Sequence, residues 1–309
     1  MGGGMGQGGS QIDWIAVDWG TSNLRAWAMG PEGVVDHAES ADGMGKLTRD
    51  QFEPALSRLV EPWLGAGVMP VVACGMVGAR QGWLEATYRA VPCAPVAAGD
   101  LVSVPTLDAR LQVMIVPGLQ QPQPADVMRG EETQLAGALA LLPSFDGVIC
   151  LPGTHSKWAH VSAGEVVSFQ TFMTGEMFAL LSQQSVLRHG MTGDGFDLEA
   201  FDQGVSDAFS RPEKIAARLF TLRAEGLLAG LAPDAARARL SGLLIGSELA
   251  AAKPYWLGQR VMLVGAERLS ASYARALSAQ GVASQALDAT ACTLSGLATA
   301  RGILRKATP

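Results

Sequence analysis

The feature that most constrains this chain is a strand–turn–strand pattern that occurs twice. Near the N-terminus a short apolar run, Asp13–Val17, breaks at Asp18-Trp19-Gly20-Thr21-Ser22 and resumes as Leu24–Met29. About 130 residues later, Gly147–Leu151 breaks at Pro152-Gly153-Thr154-His155-Ser156-Lys157-Trp158 and resumes as Ala159–Val161. Each reads as two strands joined by a polar Gly-Thr turn. The spacing also predicts buried strands at Val68–Cys74, Leu111–Val116 and Val261–Val264, and a third strand after the Gly30–Gly33 turn. Helical periodicity covers Thr48–Leu64, Glu131–Leu142, Glu176–Leu187, Pro212–Ala252 and Thr293–Leu304. Gly75–Tyr88 reads as a Gly- and Trp-bearing loop, and Pro117–Pro124 as a proline-rich connection. Strands mixed with helices in two related halves, without a long linker, describe an α/β protein whose halves pack directly together.

Composition narrows the partners. The 309 residues are enough for two domains, and with 48% hydrophobic and 17% charged residues a large core is the expected outcome. A net charge of −6 argues against a nucleic-acid partner, because such proteins neutralise phosphates with a basic surface. No run reaches the ~18 apolar residues of a membrane span. Cys74, Cys93, Cys150 and Cys292 are scattered, with no CxxC pair, which fits buried free thiols in a reducing compartment. The Gly-rich opening at 1–10 has neither the basic nor the apolar region of a signal peptide, so a cytoplasmic protein with a disordered leader is expected.

Two glycine patterns mislead. Gly4, Gly6 and Gly9 have dinucleotide-fingerprint spacing but no strand ahead of them. Gly45-Lys46 is followed by Leu47 rather than Ser or Thr, and Ser40 stands where the first glycine of a P-loop belongs. A nucleotide bound by this chain is therefore not held by a P-loop.

The duplicated turns suit phosphoryl transfer, which needs positioning and charge stabilisation more than covalent chemistry. Glycine lets the backbone approach phosphate oxygens closely, while Thr and Ser add hydroxyl donors. Gly20, Thr21 and Ser22 form one such tip, and Gly153, Thr154, His155, Ser156 and Lys157 form the other. Asp18 is placed to hold Mg²⁺ through water. His155 and Lys157 could neutralise charge on the transferred group.

These residues resemble a known family. Asp18–Ser22, Leu151–Trp158 and Leu263-Val264-Gly265-Ala266-Glu267 resemble the phosphate-1, phosphate-2 and adenosine motifs of the superfamily of sugar kinases, hexokinase, heat-shock chaperone ATPases and actin. More narrowly, Gly75–Trp83, Met128-Arg129-Gly130-Glu131-Glu132-Thr133-Gln134 and Leu243–Glu248 resemble the 2-dehydro-3-deoxygalactonokinases, over nearly the whole chain after Ser10. Ala79 departs from that pattern, where Ser is expected; it touches the substrate loop and not the phosphate motifs. The resemblance implies a two-lobed actin-like ATPase (ribonuclease H-like) fold with the nucleotide cleft between the lobes. It implies a leader at 1–10, an N-terminal lobe at 11–142, a C-terminal lobe at 143–290 and a closing helix at 291–309. The Glu131–Leu142 and Thr293–Leu304 helices would connect the lobes, their small residues, Gly137 and Gly296 among them, permitting close approach. It also implies ATP and Mg²⁺ as cofactors, Gly246 and Gly265 in the nucleotide site, and O6 phosphorylation of 2-dehydro-3-deoxy-D-galactonate in galactonate breakdown. A homodimer is compatible with this reading.

Related kinases place a carboxylate base at the start of the helix before phosphate-2, where Glu131 and Glu132 stand. Such a base contributes roughly 10²–10⁴-fold. Acidic residues at a helix N-terminus are also favoured by its dipole, so the pair carries two readings, with Glu131 ahead. For the substrate carboxylate the candidates are Arg25, Arg80 and Gln81. Trp83 and Trp158 read as packing residues. Three rivals remain at this stage: a kinase of another sugar or sugar acid on the same fold, a nucleotide-switched binding protein like actin, and a polyphosphate hydrolase.

Overall fold

The computed structural model describes residues 11–97 and 99–307; the Gly-rich stretch at 1–10 and its Gly4, Gly6 and Gly9 pattern lie outside them. The chain divides into two compact units, Met1–Pro143 with Thr290–Pro309, and Ser144–Ala289.

The first unit opens with β1 (Trp14–Trp19), β2 (Leu24–Gly30) and β3 (Gly33–Ser40), followed by α1 (Phe52–Val60) and β4 (Met69–Gly75). Then come β5 (Arg89–Ala90), β6 (Val102–Val104), β7 (Leu111–Ile115), β8 (Leu119–Gln121), β9 (Asp126–Met128) and α2 (Glu131–Leu141). Its main sheet has the order β3-β2-β1-β4-β7-β6, while β5, β8 and β9 form a small separate sheet. β1 lies between an antiparallel β2 and a parallel β4, and both of its faces are covered. Ile15, Val17 and Trp19 join a cluster with Phe52, Leu56 and Val60 of α1. Trp14 and Ala16 point the other way, into a cluster with Ala136 of α2. Burial on both faces is why this strand reads as an apolar run with a single charge at its end.

The second unit holds β10 (Gly147–Leu151), β11 (Ser156–Ser162), β12 (Glu165–Phe172), α3 (Thr174–Gln183), α4 (Leu198–Ser210), α5 (Ile215–Leu228) and α6 (Pro233–Ala251). A single turn, α7 (Lys253–Trp256), leads to β13 (Val261–Gly265), α8 (Glu267–Ser278) and β14 (Ser284–Asp288). The sheet order β12-β11-β10-β13-β14 repeats the pattern of unit one: a three-strand antiparallel meander whose first strand continues into parallel neighbours. The sequence repeat is therefore a repeat of topology, and the fold is the expected ribonuclease H-like, actin-like ATPase fold. α9 (Ala289–Ala307) returns to unit one, where Leu297 and Ala300 complete the cluster around Trp14 and Ala16.

Several elements differ from their sequence expectations. The helix expected at Thr48–Leu64 is regular only over Phe52–Val60, with single 3-10 turns on either side. Pro62 has no N–H to continue the α-helix, so the end tightens. β8 occupies part of the proline-rich connection. α4, β12 and β14 had no expectation; β14 (Ser-Gln-Ala-Leu-Asp) is an edge strand with no buried residue, so it lacks the apolar signature.

Glycines set how closely the helices cross. A Cβ on Gly137 of α2 would lie 1.7 Å from the Cys292 carbonyl oxygen, and one on Gly296 of α9 would lie 1.9 Å from that of Thr133. In unit two, a Cβ on Gly242 or Gly246 of α6 would lie 2.1 Å from Phe201 O or 2.5 Å from Val205 O of α4. The obstructing atoms are backbone, so no side chain can yield. Gly296→Ala should therefore destabilise by about 2 kcal/mol or more. Gly302, in the same helix, has no atom within 4 Å of its Cβ position. Gly302→Ala should be neutral or stabilising, by up to about 1 kcal/mol. Thermal melts of the two variants test the packing; Gly302→Ala proving the more damaging would contradict it.

Candidate active site

In unit one the chemistry gathers where β1 and β4 end and α2 begins. Asp18 is the last charged residue of β1, and its register partner on β2 is Arg25. The two side chains form an ion pair through Asp18 Oδ2 and Arg25 Nη2. Asp18 Oδ1 lies 4.0 Å from the Cys74 thiol on β4. Gly75 follows with φ +89°, and a Cβ there would lie 2.7 Å from Trp19 O and 3.4 Å from Asp18 Oδ1. A Cβ on Gly130, also left-handed at φ +103°, would lie 3.4 Å from the Gly75 Cα. Only glycine accommodates both this backbone conformation and this approach. The turn that opens α2 is thereby seated beside Asp18.

The two glutamates of that turn differ. Glu132 is fully buried; it accepts hydrogen bonds from Gly130 N at 2.7 Å and Thr133 Oγ1 at 3.0 Å. Burial first, and the neighbouring Glu131 charge second, push its carboxyl up from 4.5 to about 8. Glu131 is only half-buried, and its Oε2 accepts the Arg129 backbone N–H at 3.0 Å. Burial, with the Asp18 and Glu132 charges, also pushes the Cys74 thiol well up, so it stays neutral.

The phosphate-1 tip is braced from behind. The Gly20 and Thr21 carbonyls accept the N–H groups of Met44 and Gly45 at 3.0 and 2.9 Å, and a Cβ on Gly43 would lie 2.2 Å from the Ser22 carbonyl carbon. The glycine run that imitates a P-loop is thus a support for the Gly20–Ser22 turn. With those carbonyls occupied, the exposed Thr21 and Ser22 can offer an anion N–H and hydroxyl donors. Arg80 and Gln81 are exposed in the loop after β4, where Arg80 O accepts from Arg49 Nη2 at 2.9 Å. Trp83 packs inward, in edge contact with Trp19 and stacked on Phe52.

In unit two, only Gly153, Thr154 and His155 of the phosphate-2 stretch are open to solvent. His155 Nε2 lies 2.5 Å from Glu176 Oε2, and Thr154 O accepts Glu176 N at 2.9 Å. Ser156 and Lys157 are buried; Ser156 Oγ meets Tyr273 Oη at 2.8 Å, and Lys157 Nζ donates to His155 O at 3.4 Å. Below them lies a residue to which the sequence reading gave no role. Glu248 of α6, almost fully buried, accepts Trp158 Nε1 and Tyr273 Oη, each at 2.7 Å, and the Thr174 hydroxyl. Burial raises its pKa, against those three bonds.

Beside Gly153 and Thr154 opens a cavity of about 450 Å³, within the range of small-molecule sites. Its walls include Phe178, Phe196, Arg237 and Arg268. Arg237 lies 5.0 Å from the Phe178 ring, and Arg268 5.6 Å from that of Phe196. These residues come from four separate segments, so no motif announces them. Gly265 adjoins Pro152, with its Cβ position 3.3 Å from Pro152 O, and is followed by Ala266 of the wall. Gly246 stands apart, at the crossing of α6 with α4.

Comparison with known proteins fits this arrangement. A family model described as 2-keto-3-deoxy-galactonokinase matches residues 18–300. The chain is 40% identical over 295 residues to a probable 2-dehydro-3-deoxygalactonokinase of Rhizobium meliloti (strain 1021), covering 93% of this chain and 96% of that one. It is 36% identical to the 2-dehydro-3-deoxygalactonokinase of Escherichia coli (strain K12), covering 87% and 90%. A crystal structure from Sinorhizobium meliloti, provisionally assigned the same activity, superposes with TM-score 0.88 at 40% identity, covering 94% and 99%. The Clostridium difficile activator of 2-hydroxyisocaproyl-CoA dehydratase, solved with ADPNP, shares the fold alone, with TM-score 0.51 at 11% identity and 96% and 98% coverage. With its motifs on the expected turns and its length matched almost end to end, the chain belongs to the 2-keto-3-deoxy-galactonokinase family.

Proposed function

We propose that this phosphotransferase moves the γ-phosphate of ATP to the O6 hydroxyl of 2-dehydro-3-deoxy-D-galactonate. The observation that carries the reading is the convergence on Gly75 of the Asp18 carboxylate and the Glu131–Glu132 turn. The named activity of the Escherichia coli relative supplies the substrate. In this reading the cavity beside Gly153 takes the nucleoside of ATP. The Gly153–His155 tip beside that cavity offers donors to its phosphates, and the Gly20–Ser22 tip of unit one carries N–H and hydroxyl donors of the same kind.

Glu131 is the proposed base. It is accessible, whereas Glu132 is enclosed and mostly protonated at neutral pH. Glu131 accepts the hydroxyl proton as the oxygen attacks phosphorus in line and the bond to ADP breaks. Glu132 is a positioning residue that ties Gly130 into the turn. Asp18 fits a magnesium ion arriving with the nucleotide, since that ion prefers oxygen donors and takes one or two carboxylates beside its waters. Bound there, magnesium would supply neutralisation of the phosphate charge. Arg25, paired with Asp18, orients that carboxylate in this account. Buried thiols at Cys74, Cys150 and Cys292 fit a cytoplasmic setting.

ADP release with Mg²⁺-ATP and the galactonate derivative, beside its gluconate epimer and neutral hexoses, tests the function. Turnover confined to the sugar acids is expected; hydrolysis indifferent to the acceptor would remove the reading. Glu131→Gln should lower kcat about 10²–10⁴-fold with little change in KM. Glu132→Gln should keep most of kcat, since Gln resembles the protonated acid; the reverse ranking would exchange the roles. Glu132 also sets a stability slope. Its carboxyl titrates at about 8 when folded against 4.5 ordinarily, so between these values the folded state holds the extra proton. Its contribution is full below the lower value and is lost as pH rises through the upper one, at no more than about 1.4 kcal/mol per pH unit. Denaturation midpoints from pH 5 to 9 should fall with this slope in the parent and more weakly in Glu132→Gln.

A further inference from the structure

Arg129 stands directly before the Gly130-Glu131-Glu132 turn, and its guanidinium is short of acceptors. Nη2 donates to the Ala86 carbonyl at 2.7 Å, and the group lies 4.3 Å over the Tyr88 ring. Nε and Nη1 are buried with no hydrogen-bond partner. Nη1 rests in a nook that exists because residue 78 is glycine; a Cβ there would lie 2.8 Å from it. A guanidinium has five N–H donors and cannot lose its charge, so one carbonyl bond leaves most of its capacity unused. A cation in that condition is unfavourable until an anion meets it. Four other arginines of unit one already hold a carboxylate: Arg25 with Asp18, Arg58 with Asp42, Arg89 with Asp100, and Arg110 with Glu61 and Asp108.

We propose that Arg129 is the residue that recognises the carboxylate of the acceptor, an inference that rests on the sugar-acid reading above. Nη2 carries two hydrogens, and on either edge of the group an Nε or Nη1 hydrogen stands beside one of them. A planar carboxylate is thus met by two parallel bonds. Because Nε and Nη1 are shut off from water, the guanidinium turns out of the Gly78 nook as the acceptor binds. It exchanges one carbonyl bond and a ring contact for a stronger charge-assisted pair. The placement suits an acceptor with its acid at one end and its reacting hydroxyl at the other. The Arg129 guanidinium lies against Ala86, Tyr88 and Gly78, while its backbone N–H binds the Glu131 carboxylate. Arg25 and Arg80, the arginines singled out by sequence, are respectively paired with Asp18 and exposed.

The test compares the sugar acid with its C1 amide, which keeps the shape and loses the charge. The parent enzyme should prefer the acid in kcat/KM on the order of 100-fold, about 2.7 kcal/mol at 1.36 kcal/mol per tenfold. Arg129→Gln should abolish that preference through the KM for the acid, without altering the KM for ATP. Arg129→Lys, charged but unable to form the fork, should keep roughly a tenth of it, and carries the test if the glutamine variant does not fold. Acid and amide falling together in both variants would make Arg129 a structural tether and overturn the proposal. If the parent phosphorylates neither compound, the proposed function fails separately, and thermal shift with pyruvate, the smallest 2-oxo acid, decides. Stabilisation of the parent but not the variants keeps the assignment; equal or absent stabilisation ends it.

Discussion

Glu248 sits in α6 at 3% exposure, where an unmet carboxylate would be strongly unfavourable, and it draws three donors from three elements. Trp158 reaches it from β11, Tyr273 from α8, and Thr174 from the first turn of α3. Tyr273 passes the network on to Ser156, one residue beyond the exposed tip. The same α3 turn closes on the tip itself, since a Cβ on Gly175 would lie 2.2 Å from Gly153 O. A satisfied buried network of this kind specifies one arrangement, because breaking any member leaves a polar atom unpaired. The shape of the phosphate-2 turn, and of the cavity beside it, follows from this one acid.

Unit one solves the same problem with backbone and rings. The Gly20 and Thr21 carbonyls are tied to the turn at Met44 and Gly45, and the Trp19 indole donates to Asp42 O at 2.8 Å, just before that turn. Trp19 in turn packs on Phe52 at 5.0 Å and on Trp83 at 6.2 Å. The first helix and the loop after β4 are thus fixed to the strand that bears Asp18. Phosphoryl transfer benefits from donors that need no rearrangement when charge develops, and each tip is held in place by contacts within its own unit.

Much of this was legible in the sequence because it is local. Strands buried on both faces read as apolar runs, and the glycines of the two turns stand in the pattern itself. Features that depend on tertiary proximity were not legible. Ser156 and Lys157 belong to the phosphate-2 motif, yet both faces of β11 are covered where they stand, so both are buried and only the tip stays open. The Gly45-Lys46 pair looks like noise until its turn is seen holding Gly20 and Thr21. Glu131 and Glu132 are equivalent as letters; one helical step separates a half-buried carboxylate from an enclosed one. Arg129 stands in the Met128–Gln134 stretch with no role of its own to read, because its unused donors depend on Ala86, Tyr88 and Gly78 from a segment some forty or fifty residues earlier.

The account holds that the acceptor is an alcohol and that its carboxylate is recognised rather than phosphorylated. Phosphorus NMR of the product formed from stoichiometric ATP and the galactonate derivative tests this most directly. The account predicts one phosphomonoester resonance coupled to the two C6 protons, stable to hydroxylamine. A hydroxylamine-labile acyl phosphate, or inorganic phosphate alone, would contradict it.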